Sequence, residues 1–206
     1  TSSSKVLSMD PSYIRARLNR CFAALLHNDL SSAFDDANDL VERAPDLNIA
    51  RQRRAEILMN LGDWIAAESE LRRLIEKDPN HTMALIHQGT CLIAMNRAEQ
   101  AERPLNEAIR IDPQHSDAWY QRGLLYLEFG RIDAARADFD AAAKYDPRHL
   151  DARLRSAAIL HEEGDDEAAT AWREVLDVDP EHRLARRRLQ ECADKTKTGV
   201  TFLPKD

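Results

Sequence analysis

Residues 116–149 read SDAWYQRGLLYLEFGRIDAARADFDAAAKYDPRH and carry the clearest structural pattern in the chain. The segment predicts two short amphipathic helices, of which the first ends near Gly130 and the second stops before Pro147. Gly123 and Ala135 allow the two helices to approach closely, because neither position carries a large side chain. Large side chains fill the space around that contact: Trp119, Tyr126 and Phe139.

The same arrangement recurs along the chain at a fixed interval. Six prolines are spaced by 34 residues four times and then by 33, and five of them follow Asp. Small or apolar residues recur at the positions of Gly123, Ala135 and Phe139. A period of this length indicates stacked helix-turn-helix repeats. The predicted repeats are 14–47, 48–81, 82–115, 116–149 and 150–182.

The Trp, Gly, Tyr, Ala, Phe and Pro of residues 116–149 resemble the signature of the tetratricopeptide repeat (TPR) family. Arg122 departs from that signature, since the family usually has Leu there. The resemblance covers residues 5–193 and implies an all-α fold, a right-handed α-solenoid of helix-turn-helix repeats with a C-terminal capping helix. It also implies a non-enzymatic scaffold or adaptor whose first helices line a concave side that holds a peptide or helix.

The first residues of the chain allow two interpretations. Residues 1–13 are a leader, within which KVLSMDP, residues 5–11, resembles the last turn of another second helix before its Asp-Pro stop. A truncated upstream repeat and a short disordered leader both fit this pattern.

The last residues are predicted to cover the fifth repeat. Residues 183–194 form an amphipathic capping helix, with Leu184 and Leu189 on its inner side. Residues 195–206 lack a helical period and predict a flexible tail. Within the tail, residues 200–204, VTFLP, are a candidate for filling the groove of a neighbouring copy.

Composition limits the classes of partner and compartment. The net charge of −7 argues against non-specific nucleic-acid binding, and no apolar run is long enough to insert into a membrane. Cys21 and Cys91 are predicted to be small apolar core residues rather than redox or metal groups. A reducing, cytoplasmic compartment fits best, while the periplasm or another compartment stays open.

Three repeats contain an arginine that is followed sixteen residues later by an acidic residue. The third repeat has Gln88 and Pro104 at these positions, and the fifth has Ser156 and Ala171. Because the two charges occur and disappear together, we expect ion pairs within about 4 Å between the two helices of a repeat. The alternative is an arginine ladder for an acidic ligand. The pairs are Arg20 with Asp36, Arg54 with Glu70, and Arg122 with Asp138.

Histidine follows the repeated proline by two residues in four places. Stacked repeats set equivalent residues about 10 Å apart, which is too far for one zinc ion. We therefore expect these side chains to cap the next helix. They are His81, His115, His149 and His182.

Pro104 lies inside a predicted helix, where it predicts a kink or a late helix start. No metalloprotease motif, Gly-rich phosphate loop or nucleophile elbow occurs in the chain. The sequence therefore predicts no enzyme and suggests no cofactor, no metal and no catalytic residue.

The first helices carry a second apolar face, separate from the face that packs within a repeat. Its residues are the fifth, ninth and twelfth of each repeat, spaced i, i+4, i+7. A helix that is apolar on two faces is buried on both or exposes a binding site, so coverage by neighbouring helices is the alternative. We predict a peptide-binding groove lined by Leu18, Phe22, Leu25, Gln52, Glu56, Met59, Ile86, Thr90, Ile93, Tyr120, Leu124 and Leu127.

The predicted partner is a protein or peptide, bound as an amphipathic helix or an extended apolar segment. A structural or self-assembling array, joined through its ends or tail, is the main alternative. The TPR co-chaperones that bind acidic heat-shock-protein termini use a clamp of Lys, Asn and Arg on successive first helices. Counted from the first repeat, the matching positions hold Leu18, Phe22, Arg53, Met83 and His87. Counts from the second and third repeats do not build the clamp either, so a co-chaperone-like role would lack it.

Overall fold

The computed structural model describes residues 11–198, with side chains for residues 12–195. Residues 5–10 of the predicted upstream turn and residues 200–204 of the predicted tail lie outside this range. The described residues form α-helices joined by short turns. The helices are α1 Pro11–Leu26, α2 Leu30–Arg43, α3 Asn48–Asn60, α4 Trp64–Lys77, α5 Thr82–Ala94, α6 Ala98–Ile111, α7 Ser116–Glu128, α8 Ile132–Tyr145, α9 Leu150–Glu163, α10 Ala168–Val178 and α11 Arg183–Thr198.

The chain divides into two compact halves. The N-terminal half ends at Asp112 and contains α1 to α6, and the C-terminal half begins at Pro113 and contains α7 to α11. In each half, every helix packs against the next one along the chain, and α3 also contacts α1 and α5. Because short turns join successive helices, each half is a series of helix hairpins.

The turn after each first helix has the same backbone geometry in all five repeats. One residue there has a positive φ, and the N–H of the following residue donates to the carbonyl oxygen five positions back, as Arg131 does to Tyr126 at 2.8 Å. Glycine suits this left-handed conformation because it has no Cβ. The residues are Asn28, Gly62, Asn96, Gly130 and Gly164.

The fifth repeat is one residue shorter than the others, and the sequence predicts that the loss lies in this turn. Gly164 keeps the left-handed conformation, with a φ of 71°. Ala168 and Trp172 are only 3% and 1% exposed, so the core positions of α10 keep their register. The prediction is confirmed, and the structural consequence is a second helix of 11 residues instead of 14.

The capping helix differs from its prediction in two ways. It continues to Thr198, so the first part of the predicted tail is helical; Lys195 in its last turns favours this through the helix dipole. Leu184 is 46% exposed instead of facing inward. Residues 184 and 189 are separated by about 140° around a helix, so they cannot share a face. Ala185, Leu189 and Cys192, spaced i, i+4, i+7, form the inner face instead.

Pro104 lies in the middle of α6, which runs without interruption from Ala98 to Ile111. The predicted late start is wrong, because α6 begins at the same repeat position as α2, α4 and α8. Proline has no N–H to donate to the carbonyl of Gln100. Its ring is buried, so packing compensates for part of that loss.

The two helices of the fourth repeat meet at Gly123. A Cβ built on Gly123 would lie 2.6 Å from Cε1 of Phe139, whose side chain is fully buried. The second repeat has Ala55 and the smaller Leu71 at these positions. The third repeat, however, keeps Gly89 beside Leu105, whose Cγ would lie 2.6 Å from an added Cβ, so the helix spacing as well as the second side chain limits the first.

We expect Gly123→Ala to lower the free energy of unfolding by about 1–3 kcal/mol through overpacking, although Ala favours helix formation. The double variant Gly123→Ala/Phe139→Leu, which copies the second repeat, should lose less than the sum of the two single changes. Urea unfolding of the four proteins measures this coupling. Strictly additive losses would show that the close contact does not limit residue 123.

Candidate functional site

The predicted groove residues of the N-terminal half lie on three first helices that contact one another in sequence, α1, α3 and α5. Their exposure is uneven. The Phe22 side chain is 52% exposed, whereas Ile86 is only 2% exposed. The other members in this half are half-buried: Leu18, Leu25, Gln52, Glu56, Met59, Thr90 and Ile93.

The centre of this face is polar on α3. The side-chain amide of Gln52 donates to Oε1 of Glu56 at 2.9 Å, and Arg53 donates to its Oε2 at 2.6 Å. Both carboxylate oxygens of Glu56 are therefore held by neighbours on the same helix. Beside them, Met59 packs against the buried core around Leu71. The face thus combines apolar side chains with one ion pair, between Arg53 and Glu56.

The predicted groove residues of the C-terminal half are part of its hydrophobic core. Tyr120 lies between two rings, with centroid distances of 5.7 Å to Phe139 and 4.8 Å to His149. Leu124 and Leu127 pack against the same core and are half-buried. Truncating Tyr120 would therefore affect packing as well as any binding.

His149, which packs against Tyr120, also interacts with the carboxylate of Asp117. Its Nε2 is 3.4 Å from Oδ1 of Asp117, and this interaction raises the pKa of His149, against the opposing effect of burial. A raised pKa means that the pair adds stability below the ordinary pKa of histidine, and this stability is lost as the pH rises through the folded value.

The three predicted ion pairs between the helices of a repeat are confirmed. Arg54 lies 2.7 Å from Glu70, Arg122 lies 2.7 Å from Asp138, and Arg20 contacts Asp36. The acids are buried. The arginines are therefore committed to structural pairs, which argues against a free ladder for an acidic ligand.

Two of these acids also contact a second arginine, which the sequence pattern did not predict. Arg17 contacts Asp36, and Nη1 of Arg51 lies 2.6 Å from Oε2 of Glu70. Hydrogen bonds from Arg20 hold the pKa of Asp36 below its usual range, and Arg17 adds to this effect. The clue was available, because Arg17 and Arg51 are also 34 residues apart.

Histidine caps the following helix in three of the four predicted places. Nδ1 of the histidine accepts a hydrogen bond from the backbone N–H three residues on, at 3.3 Å in each case. The capping residues are His81, His149 and His182. The side chain of His115 makes no such capping bond to α7.

Two open grooves lie where the ion pair is replaced, and a third, of about 450 Å³, lies beside Arg20, where the pair is retained. In the N-terminal half a groove of about 1180 Å³ is lined by Leu85, Gln88 and Pro104 among others. In the C-terminal half one of about 390 Å³ is lined by Ser156 and Ala171 among others. Shorter or apolar side chains at these positions leave space that arginine occupies in the other repeats.

The described residues contain neither a cluster that could bind a metal ion nor a helix that could span a membrane. Between residues 11 and 198 no cluster of three or more His, Cys, Asp or Glu side chains could hold a metal ion. No helix in the same range has the length and apolar character needed to cross a bilayer. Cys21 and Cys91 are fully buried as predicted, and burial raises the pKa of Cys91 to about 12.

Solved structures with this architecture are similar to the chain at low sequence identity. A thermophilic TPR protein of Thermus thermophilus matches with a TM-score of 0.73 and 20% identity, over 87% of this chain and 98% of its own. PilF of Pseudomonas aeruginosa gives 0.75 and 16%, over 92% of each chain. YrrB, described as a TPR protein with an unusual peptide-binding site, gives 0.60 and 19%, over 84% of this chain and 90% of its own. These likenesses confirm the predicted all-α solenoid class.

No curated protein matches the chain. Two family models, both described as tetratricopeptide repeat, match residues 58–125 and residues 120–169. Together the two ranges span more than half of the 206 residues. Protein binding is the usual role of this repeat, and its members are generally scaffolds without catalytic activity. The chain belongs to the tetratricopeptide repeat family.

Proposed function

We propose that this protein is an adaptor that binds an amphipathic helix or an extended apolar segment of a partner protein. The binding surface is the face of the first helices in each half taken by itself. The apolar anchors are Phe22, Met59 and Ile93 in the N-terminal half, and Tyr120 and Leu127 in the C-terminal half. Gln52 and Glu56 fix the register of the bound segment. The observation that carries the proposal is the exposure of Phe22, 52% of whose surface is open on a face that is otherwise half-buried and largely apolar.

An exposed aromatic ring on such a face favours a binding role. Large apolar side chains in contact with water gain free energy when a partner covers them, and aromatic anchors commonly dominate binding. The Arg53–Glu56 ion pair, held in place with Gln52, favours a segment that carries a polar group beside its apolar residues.

A second candidate is self-association through α1. Ala16 and Ala23 are exposed there, although Ala50 and Ile57, one repeat later, are fully buried. A second copy packed on this face would bury the two alanines in the same way. Light scattering over a range of protein concentrations separates the two functions, since only self-association makes the mass rise with concentration.

We expect Phe22→Ala to weaken partner binding by about 1–2 kcal/mol, which is roughly a 5- to 30-fold loss of affinity. The ring is half exposed, so its truncation should leave the fold intact. Immobilised protein captures partners from lysate, mass spectrometry identifies them, and titration of the captured protein gives the affinity.

Ile65→Ala is the matched control. Ile65 is 76% exposed on α4, in the same half but on a second helix. Loss of a comparable side chain there should leave capture unchanged. If Phe22→Ala retains the same proteins with the same affinity as wild type, the groove is not the binding surface. Tyr120 is unsuitable for this test because it packs against Phe139.

A further inference from the structure

A cluster of reactive groups lies at the end of α9, outside the proposed groove. The His161 side chain is only 9% exposed and is surrounded by residues of α10 and α11. Its Nδ1 lies 3.4 Å from Nε1 of Trp172 and 3.5 Å from Sγ of Cys192. On the other edge of the ring, Nε2 lies 3.4 Å from Oε2 of Glu191. The imidazole of His161 therefore lies between the thiol of Cys192 and the carboxylate of Glu191.

The hydrogen bonds determine which nitrogen can accept a proton. The indole N–H of Trp172 can only donate, so Nδ1 of His161 presents a lone pair. The neutral ring then carries its proton on Nε2, facing the carboxylate of Glu191. Nη1 of Arg188 also lies 3.4 Å from this nitrogen, but its N–H donates to Oε2 of Glu191 at 2.9 Å. The Cys192 thiol lies 3.5 Å from Nδ1 and competes with the indole N–H, 3.4 Å away, for its lone pair. The thiol proton passes to Nδ1 when the weak indole contact opens. This is the relation between a nucleophile, its base and the group that orients the base.

The surroundings favour the neutral form of the imidazole, which can accept a proton but is a weaker base than an ordinary histidine. Burial lowers the pKa of His161, and the positive charges of Arg188 and Lys195 lower it further, while Glu191 and Glu162 act in the opposite direction.

The other two cysteines lack this environment. Cys21 and Cys91 are fully buried, and burial raises the pKa of both thiols. The Cys192 side chain, in contrast, is partly exposed. Of the three thiols, Cys192 therefore combines exposure to solvent with a neighbouring base.

We propose that Cys192 is a modification site that undergoes thiol–disulfide exchange with a small-molecule disulfide, with His161 taking the thiol proton. The thiolate sulfur attacks one sulfur of the disulfide, a new S–S bond forms to Cys192, and the original S–S bond breaks. The departing thiolate takes the proton from His161 and leaves as a thiol. The adduct lies on the inner face of α11, so it separates the capping helix from α9 and α10.

Oxidised glutathione is a suitable probe, added to the folded protein and to the same protein in denaturant. Mass spectrometry follows the adduct with time and locates it. We expect one adduct on the folded chain, at Cys192, and none on Cys192→Ser. Between pH 7 and pH 6 an unassisted thiol slows about ten-fold, as the denatured protein should. The folded protein should slow by less than about three-fold, because His161 remains a neutral base over most of this range.

Two histidine variants test the base. His161→Gln should restore the ten-fold dependence on pH, and His27→Gln, which changes an exposed histidine in the other half, should not. If His161→Gln loosens α11, the reaction with oxidised glutathione becomes faster. Its rate should still fall about ten-fold between pH 7 and pH 6, so the dependence on pH distinguishes the two effects. The proposal is wrong if folded wild type shows the ten-fold slope, reacts first at Cys21 or Cys91, or forms no adduct.

Discussion

Glu70→Ala is expected to destabilise the N-terminal half by about 3–5 kcal/mol, because it leaves two arginines without their acid in a buried place. The Glu70 side chain is 8% exposed, and those of Arg51 and Arg54 are 7% and 14% exposed. Both guanidinium groups lie within 2.7 Å of its carboxylate. Urea unfolding of wild type and variant measures the loss.

The matched control is Glu107→Ala, which removes an acid from an exposed pair with Arg110 on α6. That change should cost less than about 1 kcal/mol. The third repeat suggests a further comparison, since it has Leu85, Gln88 and Pro104 in place of the arginines and the acid. Equal losses of unfolding free energy for Glu70→Ala and Glu107→Ala would show that burial does not increase the contribution of Glu70 to stability.

Phe139→Ala should cost about 3–5 kcal/mol in the C-terminal half. Phe139 is fully buried, lies against Gly123 and Tyr120, and belongs to a core shared by α7, α8 and α9. Since glycine cannot extend into the space, truncation leaves a cavity. Unfolding in urea gives the change in stability.

Ile132→Ala provides the control on the same helix, because Ile132 is 41% exposed. It should lose less than about 1 kcal/mol, since its side chain already contacts water. A loss at Phe139 no larger than at Ile132 would mean that the neighbouring side chains collapse into the space.

The sequence predicted the features that depend on contacts within one repeat. Arg122 and Asp138 occupy facing positions on two helices joined by a short turn, so their spacing alone fixed the contact. The histidine caps followed for the same reason, because a cap and its helix are adjacent in the chain. Periodicity also located the small residue at Gly123 opposite Phe139.

Features that depend on contacts between repeats were harder to predict. Ile86 belongs to an apolar face by its spacing, yet it is almost fully buried, because coverage depends on neighbouring helices whose distance the pattern does not contain. The contact of His161 with Cys192 joins residues 31 positions apart, one in the fifth repeat and one in the capping helix. His161 lies at the repeated position of Leu25, Met59, Ile93 and Leu127, but Cys192 lies outside the repeats, so the period could not connect them.

The packing of each helix against its neighbours along the chain also determines how the protein folds. Within each half, helices that pack together are adjacent or next-but-one along the chain. The loops that must close during folding are therefore short, and their entropic cost is small. Low contact order of this kind is associated with folding in microseconds to milliseconds. Each half should therefore form its first hairpin rapidly and extend from it by adding one helix at a time.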